Sequence, residues 1–521
     1  MRKIGWLFGI GLLIATSAPA PAQDLAAQIK TDVEEALAPL AGTEGDSVLT
    51  HGGVDVAADG AGYVVTIADV RGMPDASGYL DIGTVSFRMT PDGADLYRID
   101  DVKIASEIPH KTADGSSDGG ISLPSQHFTG VWSRSLANFL QLDAAYRDIK
   151  VTSTTDNLSM VLGEVTTKME SIDKGDGRFD QNATFRLANV NVSDPDGMFS
   201  LGAVEATSTA QGYNAKGWAA VQDQIEAMTA NVEPDAAATT MDPQLFEALR
   251  GAAPLLSSGT TTVQVSAINY RAPDGMELFS LPAGSFNMSL EGFDQAIGRI
   301  AMSLGHQGLA VNDVDPATKE LIPHELAINV ALENLPVQEI WNGTIDTFAA
   351  ADMSTDEGSS MAMFMLMGLL QQSLVNGKAR MGLSDWRIIN ALAQAQLDGV
   401  IEASAESMFG AVGQVKLDIT GLDKMIESVR TNFGPEADEM AMLEVLRGFS
   451  NRQTAADGAI VDHYDIDFTP AGQLLVNGKE YSFMGPMGGD MPPEGSMTDD
   501  GSTAPEATPP AEGSGETTTG N

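Results

Sequence analysis

The sequence reads Phe185-Arg186-Leu187-Ala188-Asn189-Val190-Asn191-Val192, then Pro195-Asp196-Gly197, then Met198-Phe199-Ser200-Leu201-Gly202. Apolar and polar residues alternate in its first part, and this period of two is typical of a strand with one buried face. Proline fixes the first torsion of a turn, and glycine supplies a positive φ that closes it. The stretch therefore predicts a β-hairpin around a Pro-Asp turn.

The same arrangement of strand, Pro-Asp turn and strand occurs in two other places. Residues 65–83 carry it around Pro74-Asp75, and residues 265–281 carry it around Pro273-Asp274-Gly275. Internal similarity of this kind indicates duplicated structural units. The irregular spacing of the three copies argues against a short-period solenoid and favours antiparallel sheet modules, which bury one face and expose the other.

A second recurring unit predicts helices at the ends of strands. It occurs as Leu290-Glu291-Gly292-Phe293-Asp294 and again at residues 417–423 and 330–336. We expect Asp294 and Asp423 to cap the helices that follow, and Pro336 to lie in a first helical turn. Further helices are predicted over residues 25–37, 218–232, 242–251, 356–375 and 435–449.

The predicted fold class is therefore α+β and β-rich, with repeated antiparallel sheet modules and helices packed at strand ends and as insertions. We expect four segments along the chain. They are a signal peptide (1–22), an N-terminal β-rich module with a leading helix (23–230), a C-terminal β-rich module with helical insertions (231–482) and a disordered acidic tail (483–521), which from about Gly485 onward consists mainly of Gly, Pro, Ser, Thr, Glu and Asp.

The N-terminus has the pattern of a secretory signal peptide. Arg2 and Lys3 precede an apolar run of about a dozen residues, and Ala20-Pro21-Ala22 forms a small-x-small cleavage site. We expect cleavage after Ala22 and a periplasmic or secreted protein. No other apolar stretch reaches the roughly 20 residues that a spanning helix needs, so the mature chain is predicted not to span a membrane.

Composition excludes several classes of function. The chain has 29 Lys and Arg against 72 Asp and Glu, for a formal net charge of −43, which repels nucleic acid. It contains no cysteine, so disulfides, thiolate metal sites and cysteine nucleophiles are excluded. No two of the six histidines lie within five residues of each other, so no metal-binding helix motif is present.

No motif identifies a catalytic residue, a cofactor site or a metal site. Gly115-Ser116-Ser117-Asp118-Gly119 matches the letters of a nucleophile elbow, but its flanks predict a loop rather than a strand and a helix. A pair of carboxylates acting as in glycosidases is numerically possible, but the sequence does not single out a pair.

The predicted helix over residues 356–375 is unusually rich in methionine. Met361, Met363, Met365 and Met367 alternate, and Phe364 lies among them. Because a period of two does not make a helical stripe, these side chains surround the helix. This indicates either a helix in the core or the lining of a soft apolar groove, and we favour the core.

The chain combines a signal-peptide pattern and alternating strands with units such as Leu290-Glu291-Gly292-Phe293-Asp294 and a closing Leu475-Val476-Asn477-Gly478. Over residues 54–481 the chain resembles poorly characterised periplasmic proteins of Gram-negative bacteria, near the YdgA-like and AsmA-like groups. The resemblance implies a role in the cell envelope, in the handling of lipids or outer-membrane components, and transfers no functional residue.

The leading hypothesis is a non-enzymatic periplasmic protein that binds an amphipathic ligand, such as a lipid, or another envelope protein through an extended sheet surface. The alternative is a hydrolase of envelope polymers that uses a pair of carboxylates. A hydrolase requires a concave pocket in which two carboxyl groups have opposed pKa environments.

Overall fold

The computed structural model describes residues 25–40, 48–75, 78–93, 95–136, 138–229, 243–351, 355–408, 410–436, 438–456 and 458–481. The predicted signal peptide and acidic tail lie outside these residues. The helices of the described chain are α1 (Leu25–Leu37), α2 (Ala215–Thr229), α3 (Pro243–Ala252), α4 (Pro316–Leu321), α5 (Val337–Ala350), α6 (Asp356–Gly377), α7 (Leu422–Phe433) and α8 (Asp438–Phe449).

The strands are short at the two ends of the described chain and long in its middle. They are β1 (Leu49–Thr50), β2 (Gly53–Asp59), β3 (Gly62–Asp75), β4 (Gly78–Pro91), β5 (Leu96–Lys103), β6 (Glu107–Thr112), β7 (Ser117–Ser122), β8 (Ser125–Ser133), β9 (Asn138–Ser153), β10 (Leu158–Gly175), β11 (Arg178–Asp194), β12 (Gly197–Asn214), β13 (Ser258–Arg271), β14 (Glu277–Glu291), β15 (Gly298–Gln307), β16 (Ala310–Val311), β17 (Glu325–Leu335), β18 (Arg380–Ile389), β19 (Gln394–Ala403), β20 (Ala411–Thr420), β21 (Asn451–Thr454), β22 (Ile460–Phe468), β23 (Leu474–Val476) and β24 (Lys479–Glu480).

All these strands belong to one antiparallel sheet in which chain order is close to spatial order. From β9 to β15 each strand pairs with the next along the chain, and β15 then pairs with β17, β17 with β18, and so on to β20. Near the N-terminus, two interrupted strands lie between β4 and β9. Both β5 and β6 pair with β4, and both β7 and β8 pair with β9. The α+β, β-rich fold with repeated antiparallel modules is confirmed.

Two of the Pro-Asp turns lie between paired strands, as the repeats predict, and Pro74-Asp75 form the end of β3. In the hairpin of β11 and β12, Asp194 Oδ1 accepts hydrogen bonds from the amides of Asp196 (2.9 Å) and Gly197 (3.0 Å). Gly197 has φ +151°, and a Cβ atom on it would lie 2.3 Å from the carbonyl oxygen of Arg271 on β13. Only glycine fits this close approach of two backbones, so the turn residue is required by the sheet.

The strand-to-helix units are confirmed in part. α5 begins directly after Pro336, and α7 begins at Leu422. The predicted cap at Asp423 is wrong, because α7 is preceded by Gly421 in the left-handed region and Asp423 instead pairs with Arg452 at 2.7 Å. The predicted helix after Asp294 is also wrong, because a turn leads there directly into β15.

The helices α2, α3, α5 and α6 are inserted between strands at one end of the sheet, where β12 and β17 end and β13 and β18 begin. The helices α4, α7 and α8 are inserted at the opposite end. Within the described residues, no helix combines the length and the apolar character needed to cross a membrane.

Strand pairing continues across the boundary expected between the two β-rich modules. Residues 198–211 of β12 pair with residues 258–271 of β13, and the described residues up to Glu480 form one unit by their contacts. The connection between these strands contains α2 and α3, and the expected boundary between residues 230 and 231 lies outside the described residues.

Candidate functional site

One face of the sheet is apolar over most of its width. Directly opposed residues of antiparallel strands point to the same face, so the pairing register defines rows that run across the strands. One row consists of Phe128, Ala144, Thr167, Phe185, Ala206, Val263, Phe286, Leu304 and Ile328. We call the face that carries this row the apolar face.

The opposite face is charged, and its charges are paired across the strands. Arg147 and Arg186 both lie close to Glu164, at 3.2 and 3.3 Å, and Arg186 also pairs with Glu205 at 2.8 Å. These exposed pairs contribute little stability individually. Their position shows that solvent contacts this face, in agreement with the alternation of the strands.

Near the N-terminus the apolar face is closed by α1. Ile29 of this helix is fully buried, and Val33 and Ala36 are almost fully buried. The helix and the sheet enclose a cavity of about 230 Å³ whose lining is almost entirely apolar. The lining includes Val33, Leu37, Ile82, Trp132, Phe139 and Leu162.

The sheet curves strongly around this cavity. Ile67 of β3 and Leu162 of β10 both line it, although five strand-to-strand steps separate the two strands. Five steps correspond to about 24 Å in a flat sheet. The first ten strands therefore form a deep trough, and α1 lies in it. We call this region the closed part of the apolar face.

A buried ion pair holds α1 in place. Asp32 of α1 lies 2.9 Å from the guanidinium of Arg134, directly after β8, and the two side chains are only 12% and 15% exposed. Burial and the negative charge of Asp32 raise the pKa of Tyr97, which lies in the same region. The ion pair thus adds a specific contact to the apolar packing of the helix.

From β13 to β19 no helix of the described chain covers the apolar face in this way. Met302 and Leu304 of β15 are 45% and 48% exposed, and Ile388 of β18 is 39% exposed. Among the described residues of these strands, Leu335 at the end of β17 is the one buried hydrophobic side chain. We call this region the open part of the apolar face.

A histidine lies within the open part. His306 occupies a row between Gly284 and Leu326, and its Nδ1 atom is buried without a hydrogen-bond partner. Removal from solvent, followed by the nearby charge of His324, lowers the pKa of His306. The ring is therefore held in its neutral form more strongly than a histidine in water.

The face is closed again at its far edge. Leu422 and Ile426 of α7 pack with Met440 and Leu443 of α8 against Tyr464 of β22, and all are buried. The open part thus lies between two regions in which helices cover the sheet. This arrangement leaves a bounded apolar surface exposed between the two covered regions.

The structure places the predicted methionine cluster elsewhere. Met361, Met363, Phe364, Met365 and Met367 lie on α6, between 41% and 77% exposed. The interpretation of these residues as core is therefore wrong, and none of them lines the cavity under α1. They remain a candidate surface, separate from the apolar face.

Sequence reasoning missed the residues of the open part as a site. The signal was present, because Leu326, Ile328, Val330 and Leu332 alternate along β17 with alanine or polar residues. Alternation gives the face of a strand but neither its partners nor its cover. The apolar face became visible only once the register of the sheet was known.

The described residues offer little for catalysis. Asp32 is the one carboxylate that lines the cavity under α1, and it is paired with Arg134. Ser116 lies in the turn between β6 and β7 and hydrogen-bonds to Asp114 at 2.8 Å. Hydrogen bonds from Thr112 and Ser116 lower the pKa of Asp114 to about 2, opposite to the shift that a general acid needs. No group of three or more potential metal ligands occurs in the described part of the chain.

Comparison with known proteins gives no relative for this chain. No protein-family model, no curated protein and no solved structure matches it. The argument for function therefore depends on the geometry of the apolar face.

Proposed function

We propose that the protein is a non-enzymatic periplasmic protein that binds the acyl chains of an amphipathic lipid along the apolar face of its sheet. The observation that carries the proposal is the register of the sheet, which aligns apolar residues into rows from the cavity under α1 to the exposed strands β14, β15 and β17. An elongated apolar ligand fits rows of this kind.

The energetic argument favours an occupant for the open part. Exposure of large apolar side chains to water is unfavourable by roughly 25 cal/mol for each Å². Met302 and Leu304 both lie on β15, in neighbouring rows, and their side chains are about half exposed. Acyl chains laid across these rows would remove this surface from water, while the lipid head group could remain in solvent beside the trough.

The proposed location is supported by the ends and the charge of the sequence. The signal-peptide pattern of residues 1–22 predicts export to the envelope, where lipids must cross an aqueous compartment. The net charge of −43 keeps a protein with an exposed apolar face soluble and limits its association with other copies.

The first experiment purifies the chain from the periplasmic fraction after export and analyses it by native mass spectrometry and lipid extraction. We expect a co-purifying acyl lipid and displacement of a fluorescent fatty acid by it. A double variant, Met302→Gln with Leu304→Gln, places polar groups on the open part. It should weaken binding of the fatty acid about tenfold, because each substitution removes apolar contact area.

The matched control is Ser303→Gln, since Ser303 lies between these two residues and points to the opposite face. This variant should bind the fatty acid as the wild type does. A wild-type protein that carries no lipid and binds no fatty acid, or equal losses in the two variants, contradicts the proposal.

A further inference from the structure

Helix α6 carries an exposed apolar surface that the proposed lipid binding does not use. Residues 358–377 of this helix include no Asp, Glu, Lys or Arg, in a chain in which charged residues make up 19% of the total. The helix begins after Thr355, whose hydroxyl accepts a hydrogen bond from the amide of Gly358 at 3.0 Å. A charge-free stretch of this length on a surface helix of so acidic a protein requires an explanation.

The exposed apolar residues cover more than one stripe of the helix. Met361, Met363, Phe364, Met365 and Met367 are 55%, 56%, 77%, 41% and 61% exposed. At 100° for each residue, they span an arc of about 200°. A groove on a protein partner would take a narrower stripe, with spacings of three and four residues. An arc wider than half the helix fits a fluid apolar medium.

The other side of α6 is fixed to the protein. Ala362 and Ser373 are fully buried, and the Ser373 hydroxyl donates a hydrogen bond to Glu339 of α5 at 2.7 Å. A Cβ atom on Gly343 of α5 would lie 2.6 Å from Leu369 of α6, so the two helices pack closely. The exposed arc is therefore presented on a firm base.

A further exposed apolar residue lies in a turn that approaches this helix. Met408, in the turn between β19 and β20, is 83% exposed. The same turn approaches α6, since a Cβ atom on Gly410 would lie 3.3 Å from the side-chain nitrogen of Gln371. An exposed methionine therefore lies in a turn that approaches α6 at the same end of the sheet.

We infer that α6 docks this end of the sheet on the surface of a lipid bilayer, lying in the plane of the interface with its methionines and Phe364 among the acyl chains. Interfacial helices bind in this way through buried apolar area. Since the chain carries a net charge of −43, anionic head groups repel it. The partner that fits is a zwitterionic bilayer. This inference does not depend on lipid binding by the apolar face.

The test uses the full exported chain and vesicles of phosphatidylcholine. Because the chain has no cysteine, Phe364→Cys offers a single site for an environment-sensitive fluorophore. Vesicles should shift the emission of this label to the blue. The same label at Met442→Cys, on α8 at the opposite end of the sheet, should not respond, although Met442 is 63% exposed.

Flotation with the same vesicles measures the binding itself. The double variant Phe364→Glu with Met367→Glu should reduce the bound fraction about tenfold or more, because charged groups resist insertion. The variant Met442→Glu should float as the wild type does, and phosphatidylglycerol vesicles should retain less protein than phosphatidylcholine vesicles.

Three outcomes overturn the inference. They are a wild-type chain that does not float, an α6 variant that floats as well as the wild type, and a label on α6 that reports no change of environment. Unchanged thermal unfolding of the α6 variant, followed by circular dichroism, ensures that a loss of flotation reports the surface and not the fold.

Discussion

The closed and open parts of the apolar face belong to one sheet with one pattern of alternation, yet their side chains differ sharply in exposure. Val65 of β3 and Ile149 of β9 are 0% and 1% exposed, whereas Met302 and Leu304 of β15 are 45% and 48% exposed. The closed part curves around α1, whereas none of the helices that the structure describes lies above the open part. The difference separates residues that stabilise the fold from residues that are available to a ligand.

This comparison also explains why a single large sheet tolerates an exposed apolar region. Buried apolar area supplies most of the stability of a fold. The packing under α1 and the packing of α7 and α8 against β20 and β22 provide two apolar cores at separate positions along the sheet. The strands between them are held by backbone pairing to both neighbours, so their apolar side chains need not be buried.

The largest expected effect contrasts one residue from each part. Replacement of Ile149 by alanine removes a fully packed side chain and should lower the free energy of unfolding by about 2–5 kcal/mol. Replacement of Leu304 by alanine removes a side chain that is 48% exposed, and we expect a loss below about 1 kcal/mol. Urea denaturation followed by circular dichroism measures both values.

Both Ile149 and Leu304 have aliphatic side chains of the same size on the apolar face, so the comparison depends mainly on how deeply each is buried. Equal losses in the two variants would show that the open part is covered in solution. That result would remove the basis for a ligand-binding surface on β15.

The next effect tests whether the ion pair holds α1 on the closed part. Arg134→Ala removes this partner from the largely buried Asp32 and should lower the free energy of unfolding by about 1–3 kcal/mol, the cost of a lost hydrogen-bond partner in a buried site. Hydrogen exchange of the amides in α1 should accelerate before that of β9. The matched control is Arg98→Ala, since Arg98 and its partner Asp92 are 61% and 56% exposed. The control should cost less than about 1 kcal/mol. Unchanged exchange in α1 would contradict the role of the pair.

Much of the fold could be predicted from the sequence because its signals are local. The Pro-Asp turns, the Asn477-Gly478 turn and the apolar stripe of α1 each depend on residues a few positions apart. The prediction of a helix after Asp294 was wrong for a related reason. A Gly-Phe-Asp sequence can start a helix or close a tight turn, and here the pairing of β14 with β15 decides in favour of the turn.

The candidate site could be predicted only in part, because it is made of pairings between strands. The alternation of Leu326, Ile328, Val330 and Leu332 was visible, but their alignment with Ile300, Met302 and Leu304 follows from register. The exposure of a side chain depends even less on the residues next to it in the sequence. The methionines of α6 suggested a core because a uniformly apolar helix is usually buried, and only the tertiary structure shows that they face outward.

The smallest expected effect concerns two histidines on opposite faces. Hydrogen bonding to Asp418, and a further contribution from Asp465, raise the pKa of His463 above its usual value of 6.5 on the polar face. Burial and the proximity of His324 lower the pKa of His306 on the apolar face. Protonated His463 therefore stabilises the fold below about pH 6.5, and this contribution is lost as the pH rises through its raised pKa.

The sign is opposite for His306. The folded protein binds this proton more weakly than the unfolded chain does, so His306 reduces stability as the pH falls below 6.5 towards its lowered pKa. Proton NMR titration of the six histidine rings, assigned with His463→Asn and His306→Asn, measures both values. Titration of His306 at or above 6.5 would mean that water reaches the ring freely and that the neighbouring side chains of the open part do not remove it from solvent. A bound acyl chain should lower the pKa of His306 further and leave that of His463 unchanged, because a ligand removes water from one face of the sheet only.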